Sequence, residues 1–127
     1  MNFLTKYSQA ILGILRIVVG AQFMEHGLSK IAGFPMAAGG HTVVLMSFPG
    51  GASGIIELVA GALILLGLFS RVAAFIASGE MAVAYFMAHF PRGPFPLLNG
   101  GDLAVTWCFL FLFFAAAGPG AFAINRQ

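Results

Sequence analysis

Apolar residues fill this chain in four long runs, and the polar positions inside them recur at helical spacing. The runs cover about residues 11–31, 52–69, 72–90 and 102–117. In the first, Gln22, Glu25, His26 and Ser29 stand at i, i+3, i+4 and i+7, one face of a helix. Gly13, Gly20 and Gly27 recur every seven residues and make a stripe on which another helix can pack closely. In the second run Gly54, Glu57 and Gly61 share a face. In the third, Arg71, Ser78, Tyr85 and His89 share one side, and Glu80 points nearly opposite.

The connections are as informative as the runs. Residues 33–51 form a Gly/Pro-containing link; its inner piece, His41 to Phe48, is apolar but too short to span a bilayer. It reads as a short interfacial or re-entrant helix. Gly67 to Arg71 is a tight turn, and the Pro91–Pro96 stretch cannot be helical throughout. Asp102 is an N-cap candidate for the fourth run, and Gly118-Pro119-Gly120 ends it.

Composition fixes the solvent. Of the residues 60% are hydrophobic and only 8% charged, with mean hydropathy +0.97. A soluble domain carries about 25% charged residues. The chain therefore reads as one integral membrane domain over 1–127, an all-α four-helix transmembrane bundle, with the lipid bilayer as its first partner. A net charge of +2, scattered along the chain, gives no nucleic-acid footprint. The single cysteine, Cys108, permits no internal disulfide and no CxxC pair, and lies among phenylalanines as a packing residue. Four spans put both termini on one side. The N-terminus, Lys6, Arg71 and Arg126 then oppose Lys30 and Arg92, which favours cytoplasmic termini by a narrow margin. Arg16 and Arg71 read as edge anchors that snorkel to phosphates.

The four acids, Glu25, Glu57, Glu80 and Asp102, lie one per span. Lipid offers them no partners, so they are expected to turn inward as a polar column from the membrane middle to the non-cytoplasmic face. Arg16 to Glu25 and Arg71 to Glu80 have the same spacing, which hints at a weak parallel repeat of spans one-two and three-four. Glu25 and His26 suit proton transfer or ligand contact; a hydrogen-bonded network that pins helix register explains them as well. Glu57 accepts a hydrogen bond from a ligand or pairs with Arg16, Lys30 or His26. The paired Glu-x-x-His helices of di-iron bundles are absent, so no metal site is expected.

Taken together, these residues resemble a known family. Leu15-Arg16-Ile17-Val18-Val19-Gly20 leading to Glu25-His26-Gly27-Leu28-Ser29-Lys30 is similar to the first helix of the DoxX family, in which an arginine precedes a His-Gly-x-x-Lys motif. Gly54-Ile55-Ile56-Glu57 through Gly61, followed by Leu66 to Arg71, resembles its second helix; Met81 to Phe86 with His89 resembles its third. Asn99-Gly100-Gly101-Asp102 and Ala117 to Gly120 resemble its fourth helix and ending. The chain departs from the pattern at Asp102, commonly glutamate, and at Phe122, Ala123 and Asn125.

The resemblance implies a small four-helix membrane protein. Some relatives are subunits of thiosulfate:quinone oxidoreductase or associate with thiol-stress systems. The resulting expectation is a redox-associated inner-membrane subunit that binds a quinone-like molecule. Glu25, His26 and Glu57 would form its reactive end, and Gln22, Lys30, Glu80 and Arg16 would contact the cofactor. Phe23, Phe109 and Phe113 would line an apolar pocket. The expected partners are a second copy or a membrane redox complex. A proton-coupled transporter and a purely structural accessory subunit are the alternatives.

Overall fold

The computed structural model describes residues 1–125; Arg126, counted above for topology, lies outside them. It is all-helical, with no strand among the described residues. A 3-10 segment over Asn2–Tyr7 leads into α1 (Ser8–Ala32). Then come α2 (Gly50–Leu66), α3 (Ser70–Ala84), the short α4 (Pro96–Asn99) and α5 (Asp102–Ala117). Two stretches, Asn2–Ala32 and Ser70–Arg92, are long and apolar enough to cross a membrane; Gly50–Leu66 and Asp102–Ala117 are apolar but shorter.

The glycine stripe of α1 does what its spacing predicts. A Cβ on Gly20 would lie 2.6 Å from Leu65 N, and one on Gly27 would overlap Leu58 N. Gly61 of α2 returns the contact, 2.5 Å from Met24 N. The two backbones touch, so α1 and α2 form a close antiparallel hairpin. A second hairpin joins α3 to α5 through Ala73, Ala74, Ala77 and Ala104, with Ser78 Oγ donating to Cys108 O at 2.7 Å. The hairpins meet through Phe23 of α1, whose buried ring packs edge-on to Trp107 (centroids 5.4 Å) and against Phe111 (4.6 Å).

Arg16 is not a phosphate anchor, whereas Arg71 is exposed at the start of α3. Arg16 is fully buried. Its Nε donates to Pro119 O (2.8 Å), Nη1 to Ile64 O (2.7 Å) and Leu65 O (2.9 Å), and Nη2 to Ala121 O and Phe122 O (both 3.0 Å). A guanidinium has five N–H groups, and here five carbonyls receive them. Arg16 therefore caps the C-terminus of α2, where its charge complements the helix dipole, and ties the 118–122 turn to α1. Arg71 does the same for α5, through Ala116 O (2.7 Å) and Ala115 O (3.2 Å). In each hairpin an arginine of the first helix, Arg16 about two turns into α1 and Arg71 in the first turn of α3, donates to carbonyls at the end of the second. The tail closes the same end: Ala121 N donates to Gln9 O at 3.0 Å.

Two local expectations fail. Residues 41–48 form turns rather than a helix. Val43 N instead donates to Lys30 O at 2.8 Å, and the Val44 and Leu45 carbonyls fold down onto Gly51. The segment is thereby a strap over the start of α2. Asp102 is not an N-cap either: Gly101 holds that position without a side-chain bond, and Asp102 stands exposed in the first turn.

A groove between α2 and α3 with one polar end

The last turn of α1 brings Lys30 to the side of α2 that carries Ser53 and Glu57, one helical turn apart. Glu57 stands between Gly54 and Gly61, both packed against α1, and at i+3 and i−4 from them it shares their face and turns its carboxylate into that interface. Lys30 Nζ donates to Glu57 Oε2 at 2.7 Å and also to Ser53 Oγ, and Ser53 Oγ donates to Glu57 Oε2 at 3.0 Å. Glu57 is buried, while the Lys30 side chain is about a third exposed. From α3, Glu80 is brought against Glu57 and Ser53. Both Glu80 carboxyl oxygens and Glu57 Oε1 are buried and have no hydrogen-bond partner among the described residues.

This cluster lies at the edge of a cavity of about 480 Å³. Lys30, Ser53 and Glu80 supply its polar wall; Phe48 from the strap, Ile56 from α2, and Ile76, Val83 and Met87 from α3 supply the apolar one. Ile76, Val83 and Met87 are about half exposed, so the cavity opens sideways, along the flank of the bundle. A second cavity of about 280 Å³ continues the α2–α3 seam past Ile56 and Ile76 towards Val59, Leu63 and Phe69. The seam is polar at one end and wholly apolar along the rest.

Of the residues singled out in the sequence, Lys30, Glu57 and Glu80 come together. Gln22, Glu25 and His26 do not join them: all three are exposed on α1. His26 Nδ1 is 3.0 Å from Gln22 O, and its ring meets Trp107 edge-on at 4.9 Å. The expected inward column of four acids is therefore not formed. At about 100° per residue Glu25 lies some 160° round the helix from Gly27, and Gly27 is the α2 contact. Arg16 has no donor left to offer a cofactor. Phe23 is core, and Phe109 and Phe113 face outward, so none of the three lines the groove.

Two polar residues have structural roles that the sequence did not mark, Ser53 in the groove and Asn99 outside it. Ser53 has only its place four residues before Glu57 to mark it. Asn99 is buried at 1% exposure and donates through Nδ2 to Gly93 O (2.8 Å) and Tyr85 Oη (3.1 Å), while its Oδ1 accepts from Gly101 N at 2.9 Å. It holds together the 85–101 connection at the end of α3, a section that includes one wide π turn over Tyr85–His89.

Comparison with known proteins agrees with the resemblance. The DoxX family model matches residues 11–90, and the chain belongs to that family. An uncharacterized protein of Haemophilus influenzae is 43% identical over all of this chain and 97% of its own length. No solved structure matches. Family membership and the two long apolar helices make this a membrane protein.

Proposed function

We propose that this protein is a four-span inner-membrane subunit with cytoplasmic termini that binds an amphipathic, quinone-like molecule in the α2–α3 groove. The observation that carries the reading is the groove itself: a polar cluster of Lys30, Ser53, Glu57 and Glu80 at one end of an apolar seam that opens sideways. Such a shape takes a small polar head and a hydrocarbon tail that enters from the bilayer. Two carboxylates beside one ammonium can also take up or release a proton next to that head.

Four crossings are supported by packing. At about 1.5 Å per residue, α2 and α5 are about 24–26 Å long; α2 lies antiparallel to the longer α1, and α5 to the apolar Ser70–Arg92 stretch that begins with α3. Each also presents large apolar residues outward, Val59 and Leu66 on α2, Phe109 and Phe113 on α5. The chain's first and last segments meet at one end through Gln9 and Ala121, as an even number of crossings requires.

In this proposal the polar end is built on Lys30, Glu57 and Glu80, and Glu25 and His26 lie outside it. The test is native mass spectrometry of protein gently extracted from its own membrane, with an ultraviolet-visible spectrum of the same sample. A bound amphiphile in the wild type that is lost in Glu80→Leu supports the reading. A bare wild-type chain, or a bound molecule indifferent to Glu80→Leu, overturns it.

A further inference from the structure

The motif of Gln22, Glu25 and His26 takes no part in the groove, yet its position demands a partner. α1 runs over Ser8–Ala32, so Glu25 lies five residues past the middle residue, Gly20. That is about 7–8 Å along the axis from the middle of α1, and about 12 Å from Ile17, the middle of the whole Asn2–Ala32 stretch, inside a hydrocarbon half-thickness of about 15 Å on either measure. Glu25 is exposed and has no hydrogen-bond partner among the described residues. Lipid cannot supply one.

The rest of that face has a definite pattern. Ile11, Leu15, Val18, Gln22 and Glu25 are all exposed and stand at intervals of four, three, four and three residues. This is the seam spacing of helices that pack knobs into holes. It runs along the side of α1 turned away from α2, apolar towards the N-terminus and polar towards Glu25.

We infer that this face of α1 packs against the same face of a second copy of the chain. Two copies inserted with the same topology are related by a two-fold axis along the membrane normal, so their α1 helices run parallel and equal residues come level. In a parallel seam the side chain at position 25 lies beside positions 22 and 26 of the other helix. The Glu25 carboxyl group of each copy thereby meets His26 of the other; His26 Nδ1–H already donates to Gln22 O, so Nε2 and the carboxyl group share one proton between them, and the two Gln22 amides meet on the axis. An acceptor and a donor side by side on one face are self-complementary under that symmetry; a lipid or an unrelated apolar helix would leave both unpaired.

The test is oxidative cross-linking in native membranes. Single cysteines are placed at Leu15, Val18 and Gln22, and at Phe75 on the exposed face of α3, in a Cys108→Ala background. Copper-phenanthroline should give disulfide-linked dimers at the three seam positions and none at Phe75. Glu25→Gln combined with His26→Leu should lower the dimer yield at Val18→Cys severalfold; both positions are exposed, so the fold is kept. Absence of seam dimers, equal dimers at Phe75, or adducts only to a different protein would overturn the inference.

Discussion

Lys30 Nζ and Glu57 Oε2 meet at 2.7 Å across the α1–α2 interface, and this contact joins the closest helix pair to the polar end of the groove. The pair should behave as one unit. Lys30→Met alone leaves a buried carboxylate without its cation and is expected to cost about 3–5 kcal/mol. Lys30→Met with Glu57→Leu removes both charges and should recover much of that loss. Unfolding in detergent, followed by the fluorescence of Trp107, measures the cycle.

Arg16→Lys is expected to be damaging despite the retained charge. An ammonium has three donors where five carbonyls now receive bonds. The 118–125 tail should come loose from α1 and be cut by a protease that spares the wild type. Arg71→Lys, with two carbonyl partners on an exposed side chain, should leave the tail protected.

Gly20→Ala and Gly79→Ala should separate cleanly. A Cβ at Gly20 strikes the Leu65 backbone, so α1 and α2 must move apart, and a loss of about 1–3 kcal/mol is expected. A Cβ at Gly79 meets nothing within 4 Å, and mid-helix alanine should be neutral or stabilise by about 0.5–1 kcal/mol. Thermal unfolding of the two variants in the same detergent compares them.

Asn99→Ala leaves Gly93 O, Tyr85 Oη and Gly101 N without their shared partner. The expected cost is about 1–3 kcal/mol, confined to one end of the molecule. Hydrogen exchange should speed up over residues 85–101 and stay unchanged in α1 and α2.

Much of this architecture was written in simple spacings. The seven-residue glycine interval of α1, and Gly54, Glu57 and Gly61 on α2, marked the two faces that meet. The opposition of Glu80 to Ser78 on α3 also held, with Ser78 turned to α5 and Glu80 to α2. The direction of Glu25 was equally readable, since a residue two positions before a packing glycine points away from that glycine's partner. The premise that intramembrane acids turn inward overrode that geometry. The role of Arg16 was not legible, because its acceptors are backbone carbonyls more than forty residues away. Neither was the strap over 41–48: its apolar composition is that of a helix, and its path is set by the Val43 N bond to Lys30 O and by the closeness of Gly51 to its carbonyls.

The central claim is that the α2–α3 groove holds the head of an amphipathic molecule, and labelling tests it most directly. A photoreactive short-chain quinone analogue is illuminated with the protein in lipid nanodiscs, and the modified peptides are mapped by mass spectrometry. Label is expected on α2 and α3 around Ile56, Ile76 and Val83. It should fall at least tenfold in Gly79→Leu, whose side chain projects into the open groove, and stay unchanged in Glu25→Gln. Label confined to α1 and α5 near His26 and Trp107, or unchanged by Gly79→Leu, would contradict it.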